Sequence, residues 1–249
     1  MTNTYRSFDY ERYQKGYSYD DPHREVEPLE QEIAVVDEAL AALREAGILP
    51  DIEYGRERML AMRMAVRQRF EIPWTAITPR MQRLIYAVNA IKRPQVMVAV
   101  GVFCGNTFIS NGGAAIGPGA CYAAKRLVGI ELREAEADRA RRNVATMDEA
   151  GIAEIVATDG VAFLRQFKEP VDLLYLDPDG TDENGEGLYL PMLKACYGRM
   201  KPGSLVLAHN SVNWAGPLDG FLKFVRDPKH MAAAVNIEFD NEGLQVAVR

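Results

Sequence analysis

The chain has 249 residues and a formal net charge of −6, and this acidic balance excludes a protein that works by neutralising nucleic-acid phosphates or an anionic membrane surface. Its three cysteines, Cys104, Cys121 and Cys196, are odd in number and show no C-x-x-C spacing, which excludes a disulfide framework or zinc knuckle and points to a reducing, cytoplasmic setting. No apolar leader opens the sequence and no stretch approaches the roughly 18 apolar residues of a membrane helix, so the expectation is one α/β catalytic domain with a helical appendage and a small molecule as its partner.

Tyr5, Phe8, Tyr10, Tyr13, Tyr17 and Tyr19 crowd the start of the chain, a density too high for a purely disordered tail. Two readings stand side by side. The segment is a lid that folds over an open rim and offers ring faces and hydroxyls, or it is an arm packed on the domain or exchanged with a second copy in a homodimer. From Pro28, Leu29, Ile33, Val36, Leu40 and Leu43 recur in steps of four and three until Gly47, which predicts an amphipathic helix. A second helix is predicted over 55–70, where Arg56, Arg63 and Arg67 share a face that either holds a carboxylate or is simply solvated, and Met59, Met62 and Val66 belong to the core. A third opens at "TPRMQRLIYAVNAI" with Thr78 as cap and Pro79 at the first helical position. Residues 1–77 are therefore expected to form an all-helical cap or lid, and residues 78–249 the main domain.

After Pro94 strands alternate with helices, the pattern of a mostly parallel sheet covered on both faces. Strands are predicted at 96–100, 126–131, 153–157, 171–177 and 204–209, and helices at 106–116, 133–150, 160–168, 187–200 and 217–226. "AAAVNIEFD" and "LQVAVR" flank the turn "NEG", which makes the last two strands an antiparallel hairpin. The expected sheet has seven strands.

Ligands of such sheets sit outside the carboxyl ends of the strands. The first strand, within "VMVAVGVFCGNTF", delivers Gly101, Phe103, Cys104 and Gly105, where glycines allow close backbone approach. The second delivers Glu131, which either accepts from the two ribose hydroxyls of a nucleoside or is a solvated residue opening the next helix. The third leads to Asp159 and Gly160, with Asp159 readable as a helix cap. The fourth, "VDLLYLDPDG", drives apolar residues into Asp177 and Asp179, and the fifth, "SLVLAHN", ends in His209 and Asn210. Carboxylates directly after a buried strand are costly without a partner, which makes this rim the strongest site signal.

Together, "TPRMQ", "VGVFCG", "GIE" and "DLLYLDPDG...YLPMLKACYGRMKPGSLVLAHN" resemble class I S-adenosylmethionine-dependent methyltransferases, and within them the small caffeoyl-CoA and catechol O-methyltransferases. The resemblance runs from Thr78 to residue 249 and implies a Rossmann-like fold whose terminal hairpin carries the reversed seventh strand. It implies S-adenosyl-L-methionine as cofactor, with Gly101, Phe103, Cys104 and Gly105 along its methionine part and Glu131 on the ribose. Asp159 and Gly160 would lie near the adenine, Thr78 would face the amino-acid end, and Asp177 would close the site. Asp177, Asp179 and His209 would carry the catalytic chemistry. Methyl transfer needs mainly alignment and desolvation of donor and acceptor.

The departures from that family are equally specific. Asp177 and Asn210 match its divalent-metal ligands, but His209 stands where a second Asp is expected, a softer donor that suits magnesium poorly. The lysine three residues after the first Asp is Gly180, and the acidic residue opening the glycine motif is Ala99. A small-molecule methyltransferase acting at oxygen is the expected function. A second reading keeps the cofactor but lets its own amino group attack the γ-carbon, releasing methylthioadenosine and a cyclic amino acid. A nicotinamide-dependent oxidoreductase would need a G-x-G-x-x-G fingerprint that "GVFCGNT" lacks, and a non-catalytic sensor would bind the cofactor without turnover.

Overall fold

Every side chain of the strand Val96–Val100 is buried, and successive ones enter different cores, as the two-residue period of a strand requires. Met97 and Ala99 join one apolar cluster, and Val96, Val98 and Val100 the other. A computed structural model describes residues 3–178 and 186–249 of the chain. In chain order its strands are β1 (Asn3–Arg6), β2 (Val96–Val100), β3 (Arg126–Glu131), β4 (Ala153–Ala157), β5 (Val171–Leu176), β6 (Met200–His209), β7 (Ala233–Glu238) and β8 (Leu244–Val248). They form one sheet in the order β1-β7-β8-β6-β5-β2-β3-β4, and β8 runs antiparallel to both of its neighbours.

Three helices, α2 (Leu29–Glu45), α3 (Arg56–Arg69) and α4 (Pro79–Lys92), enter the same apolar cluster as one face of the sheet, with α5 (Asn106–Gly112) and α6 (Glu134–Ala145). The opposite face is covered by α7 (Gly160–Gln166), α8 (Tyr189–Cys196) and α9 (Asp219–Val225). Strand order reverses at β2, whose neighbours are β3 on one side and β5 on the other. That is where a doubly wound sheet opens a crevice.

Among the described residues the sheet has eight strands, one more than the sequence pattern predicts, and the first residues are not all helical. β1 pairs in parallel with β7 from Asn3↔Val235 to Arg6↔Glu238, and a four-residue edge strand is too short to show a period. Only Tyr10–Gly16, here α1, is helical before α2. The tyrosines are built into the fold. The Tyr5 hydroxyl donates to Glu38 at 2.8 Å and that of Tyr10 to Asn241 at 3.0 Å, while the Tyr13 ring lies under the Arg80 guanidinium at 3.8 Å.

Arg80 itself is fully buried on α4 and holds the arm down: it donates to both Asp9 oxygens at 2.8 and 2.9 Å and to Glu27 at 2.6 Å. Arg83, equally buried, bonds Glu32 and the Tyr54 hydroxyl. The arginine face of α3 is not simply solvated, because Arg56 pairs with Asp37 at 2.8 Å and Arg63 grips both Glu32 oxygens at 2.9 and 2.7 Å. These arginines hold the chain's own carboxylates. No helix among the described residues is long and apolar enough to cross a membrane.

Candidate functional site

β2 ends at Gly101, whose φ of 80° is a conformation that side chains disfavour. The amide of Gly101 donates to the Ile130 carbonyl at 2.8 Å, and that of Asp177 to the Val100 carbonyl at 2.9 Å. These bonds draw the ends of β3, β2 and β5 together so closely that a Cβ on Gly101 would lie 1.9 Å from the Asp177 carbonyl oxygen. Glycine is the residue this junction admits.

The next turn carries Phe103 at φ 47°, and its amide donates to Glu131 Oε2 at 2.9 Å while the Arg133 amide donates to Oε1 at 3.1 Å. Glu131 is thus a nearly buried carboxylate fixed by two backbone donors, and each oxygen keeps a further lone pair for a ligand. The Phe103 ring packs against Trp74 with centroids 4.8 Å apart. A crevice of about 180 Å³ opens here, walled by Gly101, Glu131, Asp177, His209 and the two tryptophans Trp74 and Trp214, with residues 75–77 along one side.

At its inner end Asp177 Oδ1 faces His209 Nδ1 at 3.2 Å and accepts from the Asn210 amide at 3.3 Å. His209 is fully buried and its Nε2 has no hydrogen-bond partner among the described residues. Burial alone would lower the imidazole pKa, but the Asp177 carboxylate, with Asp240 and Glu242 behind it, outweighs burial and raises it to about 9. Behind the crevice, Asp240 accepts from the Thr78 hydroxyl at 2.7 Å. The Tyr19 hydroxyl bonds Glu242, whose pKa is raised by burial and by Asp240.

Asp177, His209 and Asn210 were the sequence's candidate metal ligands, and they do not fit a divalent cation in this arrangement. The imidazole and the amide are both turned onto the one carboxylate oxygen, at 3.2 and 3.3 Å, rather than spread around a shared centre. No group of three or more His, Cys, Asp or Glu side chains among the described residues is arranged to hold a metal.

Of the expected site residues among those described, Gly101, Phe103, Glu131, Asp177, His209 and Asn210 share the crevice, and Thr78, Cys104, Gly105, Asp159 and Gly160 do not wall it. Thr78 caps α4, accepting from the Met81 amide at 3.3 Å, and Thr75 and Ile77 face the crevice in its place. Cys104 is buried, its thiol pushed up to about 11 by burial, and its carbonyl accepts from Asn143 at 2.8 Å. Gly105 lets α5 approach α6, because a Cβ would stand 3.3 Å from Ala140 Cα. Asp159 is exposed and caps α7 through the Ala162 amide at 2.7 Å, and Gly160 is a packing glycine, 2.7 Å from Val100 Cγ1 for a Cβ. Asp179 lies outside the described residues. Sequence reasoning missed Trp74 and Trp214, although the chain has only two tryptophans and both stand exposed at this mouth.

None of the N-terminal tyrosines walls the crevice. Tyr17 donates to the Thr75 carbonyl at 2.6 Å, so the arm is packed on its own domain and braces the crevice wall from behind.

No family model and no curated protein matches the sequence. Solved structures do. An SAH-bound methyltransferase from Podospora anserina is 12% identical, with 91% of this chain and 99% of that one aligned at a TM-score of 0.59. An O-methyltransferase from Bacillus cereus in complex with SAH is 16% identical over 78% of this chain and 92% of that one, at 0.54. An O-methyltransferase from Streptomyces achromogenes in complex with SAM is 17% identical over 78% and 90%, at 0.52. The chain therefore has the Rossmann-like fold of class I methyltransferases.

Proposed function

We propose that this chain, with the fold just described, is an S-adenosylmethionine-dependent methyltransferase that acts on a small molecule, at oxygen. The observation that carries the reading is the Glu131 carboxylate, buried at the end of β3, pinned by the Phe103 and Arg133 amides and still able to accept from a ribose diol. Neighbours of the same fold that hold SAM or SAH support it.

Gly101 presents bare backbone to the ligand, Phe103 and Trp74 supply an aromatic wall of two tilted rings, and Trp214 closes the far side of the mouth. When bound, S-adenosylmethionine supplies a methyl group on a positively charged sulfur. The chain's own work is to orient and dry the acceptor. Asp177 spends Oδ1 on His209 and Asn210, which fixes its plane and leaves Oδ2 to receive the proton of an acceptor hydroxyl. The cationic imidazole behind Asp177 offsets the negative charge that an ionised acceptor brings into the crevice. No divalent ion has a part in this account.

The self-cyclising alternative draws on Gly180, on His209 and on an aromatic N-terminus closing over the cofactor, and of these the tyrosines bond to Thr75, Asn241 and Glu242 instead of closing the crevice. Mass spectrometry of the protein incubated with S-adenosylmethionine, alone and with a pool of phenolic and aliphatic hydroxyl compounds, tests the proposal. S-adenosylhomocysteine is expected only with an acceptor. Methylthioadenosine without one would overturn it.

A further inference from the structure

A second cleft, of about 350 Å³, lies beside the first and shares Ile77 and Asn106 with it. One wall is the stretch 22–29 between α1 and α2, and the other is the outer face of α3. Its lining includes Leu60, Val66 and Ile72, together with Leu29 and Met64, two of the large apolar side chains that the fold leaves exposed. Apolar surface left open in a concavity of this size is the usual form of a small-molecule site.

The charges in the cleft are unequally committed. Glu27 is spent on Arg80, and Arg63 on Glu32, Gln82 and the Pro79 carbonyl. Arg67 differs: its nearest carboxylate, on Glu25, is 4.0 Å away, and the two side chains are 60% and 90% exposed. An exposed pair at that distance is worth at most about 1 kcal/mol and yields readily to a better anion. His23, beside Arg67, is held below its ordinary pKa by burial and by that guanidinium.

We propose that this cleft binds a small amphipathic acid, its apolar body between Leu29, Leu60 and Met64 and its carboxylate on Arg67. The size of the cleft selects a small molecule over a peptide helix, and the Arg67 guanidinium, with the exposed Arg24 also on the lining, selects an acid over an alcohol or amine. Through Ile77 and Asn106 the bound acid shares a wall with the crevice assigned to the cofactor, but the inference stands whether or not that assignment holds.

Calorimetric titration of the full chain with octanoate, octanol and octylamine tests it. Octanoate is expected to bind at one site, at least tenfold more tightly than octanol, with octylamine weaker still. Arg67→Gln, at an exposed position, should bring octanoate to the level of octanol, and Met64→Glu should abolish its binding. Neither change should alter a parallel titration with S-adenosylhomocysteine, which reads the first crevice separately. No saturable octanoate binding, equal binding of octanol, or octanoate affinity unmoved by both variants would overturn the proposal. So would sedimentation showing a dimer that Met64→Glu dissociates, because the apolar walls would then belong to a second copy.

Discussion

The Phe103 amide donates to Glu131 Oε2 at 2.9 Å, so the turn leaving β2 and the carboxylate ending β3 are held as one unit. Glu131→Gln keeps the shape but replaces charge-assisted bonds with neutral ones, and turns one acceptor oxygen into a donor opposed by a backbone N–H. Affinity for S-adenosylhomocysteine is expected to fall by about 1.5–3 kcal/mol, roughly ten- to a hundredfold. Calorimetry checks this, and an unchanged affinity would remove Glu131 from the nucleoside.

Gly101→Ala forces a methyl into the space of the Asp177 carbonyl, 1.9 Å away, on a backbone already at φ 80°. Backbone on both sides leaves nowhere for it to go, so urea denaturation should show a loss of about 3 kcal/mol or more. Gly105→Ala, at φ 90° but with 3.3 Å to its nearest neighbour, should cost less. Equal midpoints for the two variants would contradict the close approach of β2 and β5.

His209 makes stability depend on pH in a definite sense. Its folded pKa, raised to about 9, lies above the ordinary value of 6.5, so the folded state holds the proton more tightly than the unfolded one. The stabilisation is complete below about pH 6.5 and is lost as pH rises through 9. Thermal melting between pH 6 and 9.5 should show a decline on the alkaline side, and in His209→Gln that decline should flatten. A wild-type profile that rises over this interval would mean that the imidazole is buried neutral.

Because His209 and Asn210 are both turned onto Asp177, excess chelator should leave turnover unchanged once an acceptor is identified. Activity lost to chelator and restored by magnesium or zinc would show that these side chains rearrange around an ion.

The central parallel strands β2 and β5 were legible because they are buried on both faces and read as apolar runs, "VMVAV" and "VDLLYL". Glu131 and Asp177 were legible for a related reason: each polar residue directly ends such a run, and the fold brings all parallel strand ends to one rim. β1 was hidden by its length and by pairing with a partner more than 200 residues away. Trp74 and Trp214 reach the crevice on loops, whose course no periodicity encodes. Thr78, expected from the family resemblance to face the amino-acid end of the cofactor, has its hydroxyl engaged by the Met81 amide and Asp240, a capping role that was also legible.

The pairing of β1 with β7 also bears on how the protein is made. Asn3–Arg6 leaves the ribosome long before Ala233–Glu238 exists, and its place in the sheet opens only when that strand is laid down. During synthesis the tyrosine-rich segment around β1 has no strand to join until β7 appears, so the hairpin of β7 and β8 recruits a segment made more than 200 residues earlier.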